Sequence, residues 1–333
     1  MSVVFPPRMK IISSAVAAAI ISSLSSVAVQ AESLGVIQVE STTIDDKFDN
    51  KRGEPSSIGV ISGKQVDDAH TDNVYQMLQS IPGLTSTFTS GDELKLHIRG
   101  VENQRYMGEK PGVAVVIDGV PVFERTGTVN IDMDNIESIK VIKGGASYLF
   151  GEDALSGAVI ITTKRGAHYK GYTVGAEVGS FGAHKGLARV GFANEDANGH
   201  VQISQRATDG YWDDSASRAD YINGKLQYYV SDSSDLTVGM ERADRHKNSH
   251  GKVEGETAAE EDPMSFDPAY NDYTNKYNVK LAKYFATYSN DLDDLSNLMV
   301  NTYSYADDTA YFSSPSRSGD GYRYANDYRQ IQR

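Results

Sequence analysis

No cysteine occurs anywhere in this chain of 333 residues. That excludes a disulfide framework and any thiolate metal site, so stability has to come from packing or from a closed sheet. A long run of lysine and arginine is also missing, and the formal net charge is -13. A nucleic-acid partner, which demands a basic face, is therefore not expected. The seven histidines, His70, His97, His168, His184, His200, His246 and His250, contain no HExxH-type pair. His246 and His250 stand four apart, which suits a metal if the segment is helical, but they lie in a polar stretch read as a loop. No metal, cofactor or catalytic set is expected.

The stretch "IESIKVIKGGASYLFGEDALSGAVIITTKRG", from Ile136 to Gly166, places two strand-like apolar runs around a glycine-rich centre. A phosphate loop would need a Lys-Ser/Thr pair entering a helix, and none follows. A nucleotide cradle is excluded. The glycines Gly144, Gly145, Gly151 and Gly157 are read instead as permitting tight turns and close backbone approach.

Long apolar runs are scarce as well. The one candidate opens the chain, where Arg8 and Lys10 precede the small-residue stretch Ile11 to Val29, closed by Gln30 and Ala31. This reads as a cleavable signal peptide over residues 1–31. Serines at positions 13, 14, 22, 23, 25 and 26 argue against a membrane-spanning helix.

With 39% hydrophobic residues the remainder can bury a core of ordinary size. It divides into two halves of different texture. Up to Gly166 the reading is mixed α/β. Asp67, Asp68, Thr71 and Asp72 supply capping residues ahead of "NVYQMLQSI", where Val74, Met77, Leu78 and Ile81 fall at helical spacing, and Pro82-Gly83 ends the helix. Strands are expected over "ELKLHIRG", over "GVAVVIDGVPV" with Asp118-Gly119 as a tight turn, and over Ile136 to Lys143 and Ala158 to Lys164.

After about Ala167 no long helix is legible, and 17 of the 20 tyrosines lie between Tyr169 and Tyr328. Dyad alternation recurs, as in Tyr172/Val174/Ala176/Val178, Ala188/Val190/Phe192, Val201/Ile203, Leu236/Val238/Met240, Tyr277/Val279/Leu281 and Leu298/Val300. Short polar turns ("ANEDANG", "VSDSSD", "SNDLDDLS") alternate with long connections, Arg206 to Asp220 and Arg242 to Tyr273. An antiparallel outer-membrane barrel reads this way, with apolar side chains out, polar ones in and short turns on one side. A soluble β-sandwich with surface tyrosines reads similarly.

Together, "VYQMLQSIPGL", "LHIRG", "AVVIDGVPV" and the Ile136 to Gly166 stretch resemble, in order, the plug domain of the TonB-dependent outer-membrane receptors. The resemblance implies an α+β plug over residues 55–166, followed over 167–333 by antiparallel transmembrane β-barrel strands. Counted with its leader from Glu32 to Gly166, a plug of about 135 residues has a radius of gyration of roughly 14 Å, which demands a barrel of the ~22-stranded class rather than one of ~8 strands. The residues beyond Ala167 provide about 7 strands at 20 to 25 residues each. An N-terminal part of a longer receptor, or a truncated product, is therefore expected.

The same resemblance implies function. "ESLGVIQVEST" looks like a TonB box, with Leu34, Gly35, Val36, Ile37, Gln38 and Val39 as the strand that adds to TonB's sheet, in a box-and-linker segment over 32–54. ExbB and ExbD energise TonB, and outer-membrane lipid surrounds the barrel. The implied activity is uptake of a ferric siderophore, without bond chemistry; cobalamin, haem or another cargo is the alternative, and a soluble exported β-rich binding protein is the alternative of another class. Arg105, Tyr106 and Lys110, in a loop after "KLHIRG", would meet an anionic, ring-bearing ligand. Arg99 is read either as a lock to barrel carboxylates or as an arginine satisfied within the plug. Lys143 is read as a second lock position; it stands where the family usually carries arginine, and a lysine lacks the two-bond fork. The glycines nearby would serve close approach of plug to wall.

Overall fold

Ser62 has both marks of a helix start: its hydroxyl accepts from the amide of Gln65, and the Gln65 side chain returns to the amide of Ser62. This capping box opens α1 (Gly63–Ala69), so Asp67 and Asp68, expected as caps for the next helix, lie inside a helix of their own. The chain leaves α1 through His70 in the left-handed region and enters α2 (Val74–Leu78), the expected periodic helix. The structure is a computed structural model and describes residues 58–71, 74–88, 94–98, 101–102, 112–122, 129, 131–144, 154, 156–249, 255–264, 273–293, 296–315 and 324–332.

Around these helices stand two small sheets. One has the order β1 (Ile58–Ser62), β7 (Ile136–Lys143), β8 (Gly157–Thr163), β5 (Val113–Ile117), β6 (Val120–Val122); β5 and β8 are parallel and the other pairs antiparallel. The other joins β2 (Leu84–Phe88), β3 (Leu94–Ile98) and β4 (Val101–Glu102). Every residue of β5 and of β8 is buried, as near-continuous apolar runs require. Asp118 and Gly119 both have positive φ, 50° and 77°, and form the two-residue turn between β5 and β6.

At Gly157 the close approach is internal to this domain. A Cβ there would lie 2.2 Å from the carbonyl oxygen of Ile142 on β7. The approach of this domain to the wall instead uses Gly166 and Gly199, where a Cβ on Gly166 would lie 2.2 Å from the Gly199 oxygen. Gly145 and Gly151 lie outside the described residues. Replacing Gly157 with alanine is expected to destabilise the domain by about 2 kcal/mol or more, because β7 and β8 must separate. A melting curve at or above that of the parent would contradict this.

The second half forms one antiparallel meander of eight strands: β9 (Gly171–Val178), β10 (His184–Ala193), β11 (Ala197–Thr208), β12 (Ser217–Ser231), β13 (Ser234–Ser249), β14 (Tyr273–Asp291), β15 (Asn297–Pro315) and β16 (Tyr324–Gln332). Eight strands are described where about seven were expected, and part of each connection read as long is strand. Strand pairing runs on through Thr208 and from Ser217, and through Ser249 and from Tyr273, within stretches read as loop. His246 accordingly lies on β13, its Nδ1 2.8 Å from Asn278 Oδ1. His250 falls outside the described residues. A short helix, α3 (Glu256–Glu261), occupies the connection between β13 and β14.

The sheet is apolar on its outer face. Tyr172, Val174, Val190, Phe192, Val201, Ile203, Leu226, Tyr228, Val238 and Val300 are all exposed, Val201 to 56%. Their strand neighbours Arg189, His200, Gln202, Asn223 and Gln227 are buried on the inner face. A soluble sandwich would bury the first set, whereas a wall facing lipid exposes it. One alternation faces the other way: Val279 and Leu281 on β14, expected outside, are buried inside. Period two shows that a strand has an apolar face, not which way that face turns. Among the described residues no helix is long and apolar enough to cross a membrane, which says nothing of spanning strands.

Candidate functional site

The inner face of the meander is filled by the first domain, and a single apolar cluster runs from one to the other. It joins Ile117, Val120, Ile136, Ile139 and Ile161 to Ala219, Tyr221, Ala243, Leu281, Phe285 and Tyr305 of the wall. The polar contacts across this seam concentrate at two places, both built on carboxylates of the inner domain.

The first is the 3-10 turn Met133–Asn135, capped by Asp132, whose side chain accepts from the amide of Asp134. Asp132 is fully buried, and its Oδ2 accepts from Gln202 Nε2 (2.7 Å), Ser204 Oγ (2.6 Å) and Asn223 Nδ2 (2.9 Å), all from β11 and β12. Arg206 reaches Asp132 Oδ1 at 3.4 Å and Asp134 Oδ2 at 3.0 Å, and Lys185 donates to Asp134 Oδ1 at 2.9 Å. Arg189 donates to the carbonyl of Asp134 (2.7 Å) and to Gln202 Oε1 (2.7 Å). His200 Nε2 lies 3.1 Å from Asn135 Oδ1.

The second place is the β5–β6 turn. Asp118 Oδ1 accepts from the Thr163 amide (3.0 Å) and from Lys225 Nζ (2.8 Å), and its Oδ2 accepts from the Thr163 hydroxyl (2.7 Å). Lys225 also donates to the Thr163 carbonyl (2.8 Å). Behind it in the wall, Lys283 and Glu241 form a buried pair at 2.7 Å. Where the chain leaves the inner domain, Glu137 holds Arg165 (2.6 Å) and His168 (2.9 Å), and Lys164 holds Asp67 (2.7 Å). The Tyr169 ring carries Lys164 and Arg189 over it, each 4.8 Å from the centroid.

These environments move the carboxylates in opposite directions. Burial would raise Asp118, but Lys225, Lys283 and the two donated hydrogen bonds outweigh it and hold the group at about 2, below its ordinary 3.8. Glu137 follows the same pattern: burial raises it, the bonds from His168 and Arg165 prevail, and it sits at about 2 against 4.5. For Asp132 burial wins, and its carboxyl is raised despite Arg206, Ser204 and Gln202. A depressed folded value contributes stability that is present above the unfolded value and lost as pH falls through the folded one. Asp118 and Glu137 thus cease to hold the seam as pH falls from about 4 to about 2, while Asp132 becomes easier to bury. With two groups against one, amide exchange at 131–137 and 163–168 is expected to accelerate between these pH values. Slower exchange on acidification would reverse the assignment.

Of the residues singled out by sequence, Lys143 is described: its Nζ donates to the carbonyl of Pro82, 3.0 Å away, inside the inner domain. Arg99, Arg105, Tyr106, Lys110 and residues 34–39 lie outside the described residues. Sequence reasoning read Asp118 only as a turn residue and did not single out Asp132 or Asp134. A usable signal was present, because His200, Gln202, Ser204 and Arg206 alternate with Val201 and Ile203, a polar ladder that needs polar partners.

Residues 50–158 match the family model described as the TonB-dependent Receptor Plug Domain. Among curated proteins, the chain is similar to the ferric-pyoverdine M114 receptor PbuA of Pseudomonas sp. (strain M114), 24% identical over 56% of this chain and 22% of the relative. It is also similar to the vitamin B12 transporter BtuB of Vibrio vulnificus (strain CMCP6), 25% identical over 38% of this chain and 20% of the relative. The matches thus span about a fifth of the length of those relatives. Among solved structures, the open form of the ferric-catecholate import receptor Fiu from E. coli K12 superposes with a TM-score of 0.64 at 16% identity, covering 83% of this chain and 44% of that one. That likeness concerns the fold.

Proposed function

We propose that this chain, whose residues 50–158 match the TonB-dependent Receptor Plug Domain, serves active uptake of a ferric siderophore across the outer membrane of a Gram-negative bacterium. The observation that carries the reading is the seam: beside one apolar cluster, the plug is held in the wall by hydrogen bonds and ion pairs that water can replace. An apolar seam of the same extent would resist withdrawal, whereas polar contacts can be exchanged for hydration as the plug moves. The siderophore cargo is supported by the relative named a ferric-pyoverdine receptor.

In this reading residues 1–31 direct export. Leu34 to Val39 add as a strand to TonB, energised by ExbB and ExbD, and the linker to residue 54 transmits the pull. Arg105, Tyr106 and Lys110 contact cargo from the outer side. Arg99 locks plug to wall. Lys143, bonded to Pro82, fastens the plug internally. The likeness to BtuB favours cobalamin as the second reading.

Cells carrying this receptor as their route for ferric pyoverdine or a ferric catecholate should lose growth on that iron source when TonB is removed. Val36→Pro, which breaks the added strand, should stop uptake while leaving cargo binding at the surface unchanged. Growth that survives both changes would rule out the transport reading, and cobalamin-dependent growth lost in their place would establish the second.

A further inference from the structure

Building on the transport reading, we propose that Lys225 forms a wall site for the carboxylate or phosphate group of an anionic cargo, a site the plug's own Asp118 occupies at rest. Among the described residues both polar contacts of Lys225 come from the plug: Asp118 Oδ1 at 2.8 Å and the Thr163 carbonyl at 2.8 Å. Both leave when the β5–β6 hairpin and β8 leave. Lys225, its side chain 9% exposed with the plug in place, is then an ammonium on the inner face of the wall without its counter-ion. Such a cation, set beside hydroxyl and amide groups, recruits an anion. Lys283 adds its field at the same carboxylate and stays in the wall with Glu241.

At rest a crevice of about 70 Å³ lies beside Lys225, between plug residues that include Asp118, Ile160 and Ile161 and wall residues that include Gln227, Thr287 and Ser289. Its lining residues Asp235, Ser289 and Met299 stand near the strand ends that flank the β12–β13 and β14–β15 connections. Hydroxyl and amide donors next to an ammonium are the composition of an anion site. Asp235 shares the lining, but its Oδ2 already accepts from Gln227 (3.1 Å) and Thr237 (3.2 Å). At roughly 30 Å³ for a water's share of liquid volume, the crevice admits an acidic group rather than a whole cargo. Asp118, held by Thr163 and Lys225, is thus a stand-in for that group.

The test uses the purified full-length protein in detergent with chloride as probe, read by chlorine-35 NMR line width. Asp118→Asn should acquire a saturable broadening absent from the parent and reversed by sodium acetate or inorganic phosphate. Adding Lys225→Gln should remove it. An Asp118→Asn protein no broader than the parent, or broadening that survives Lys225→Gln, overturns the proposal. If Asp118→Asn does not fold, Asp118→Ser, which keeps a hydroxyl toward Thr163, carries the same measurement. Cellular uptake is a separate readout: its loss in the parent counts against transport and leaves the chloride result standing, while an indifferent Asp118 variant counts against the site alone.

Discussion

Asp132→Ala is expected to loosen the plug from the wall by about 3 to 5 kcal/mol, the usual cost of removing one side of a buried hydrogen-bonded charge. Gln202, Ser204 and Asn223 would be left with donors aimed at a void, all three being buried, and Arg206 would lose its contact with Asp132 while keeping Asp134. Each orphaned donor costs about 1 to 3 kcal/mol, and the sum is cut because the parent carboxyl is itself raised by burial. The readouts are amide exchange across 131–137 and leakage of a large antibiotic through the outer membrane. Both should rise together. An alanine variant that exchanges and leaks like the parent would show that Asp132 does not seat the plug.

Lys225→Met should have an effect of similar size at the other end of the seam. Methionine keeps most of the volume and removes the charge, so Asp118 stays buried with Thr163 as its remaining direct partner. The loss is expected at about 3 to 5 kcal/mol, and the Asp118 carboxyl should climb from about 2 toward or past its ordinary value. Because the damage lies in the stranded carboxylate, Asp118→Asn should recover much of it in the double variant. A cycle of the two substitutions should show coupling of about 1 to 3 kcal/mol, measured by urea unfolding. Additive losses would mean that the 2.8 Å contact carries little.

Much of the fold was legible because it depends on local rules. The apolar runs at Val113 to Ile117 and Gly157 to Thr163 could only be buried strands, and Asp118-Gly119 supplied the positive φ values that a two-residue turn requires. The polar turns after Ala193, Val230 and Ser289 fell where the chain reverses. The site was less legible. Arginine and lysine of the plug were expected to seek wall carboxylates, and the described seam has the opposite polarity, with Asp118, Asp132 and Asp134 of the plug meeting Lys225, Arg206 and Lys185 of the wall. Asp132 lies 70 to 91 residues from its donors Gln202 and Asn223, a separation no periodicity spans.

Spacing along the chain thus settled where the strands are, that each has one apolar face, and that an α/β domain precedes a β meander, because these follow from backbone geometry and side-chain period. Tertiary structure alone decided which face of β14 turns inward and which acids meet which bases. Those outcomes rest on through-space pairing between two separately legible halves, where burial makes a carboxylate's choice of partner a matter of ångströms rather than of sequence.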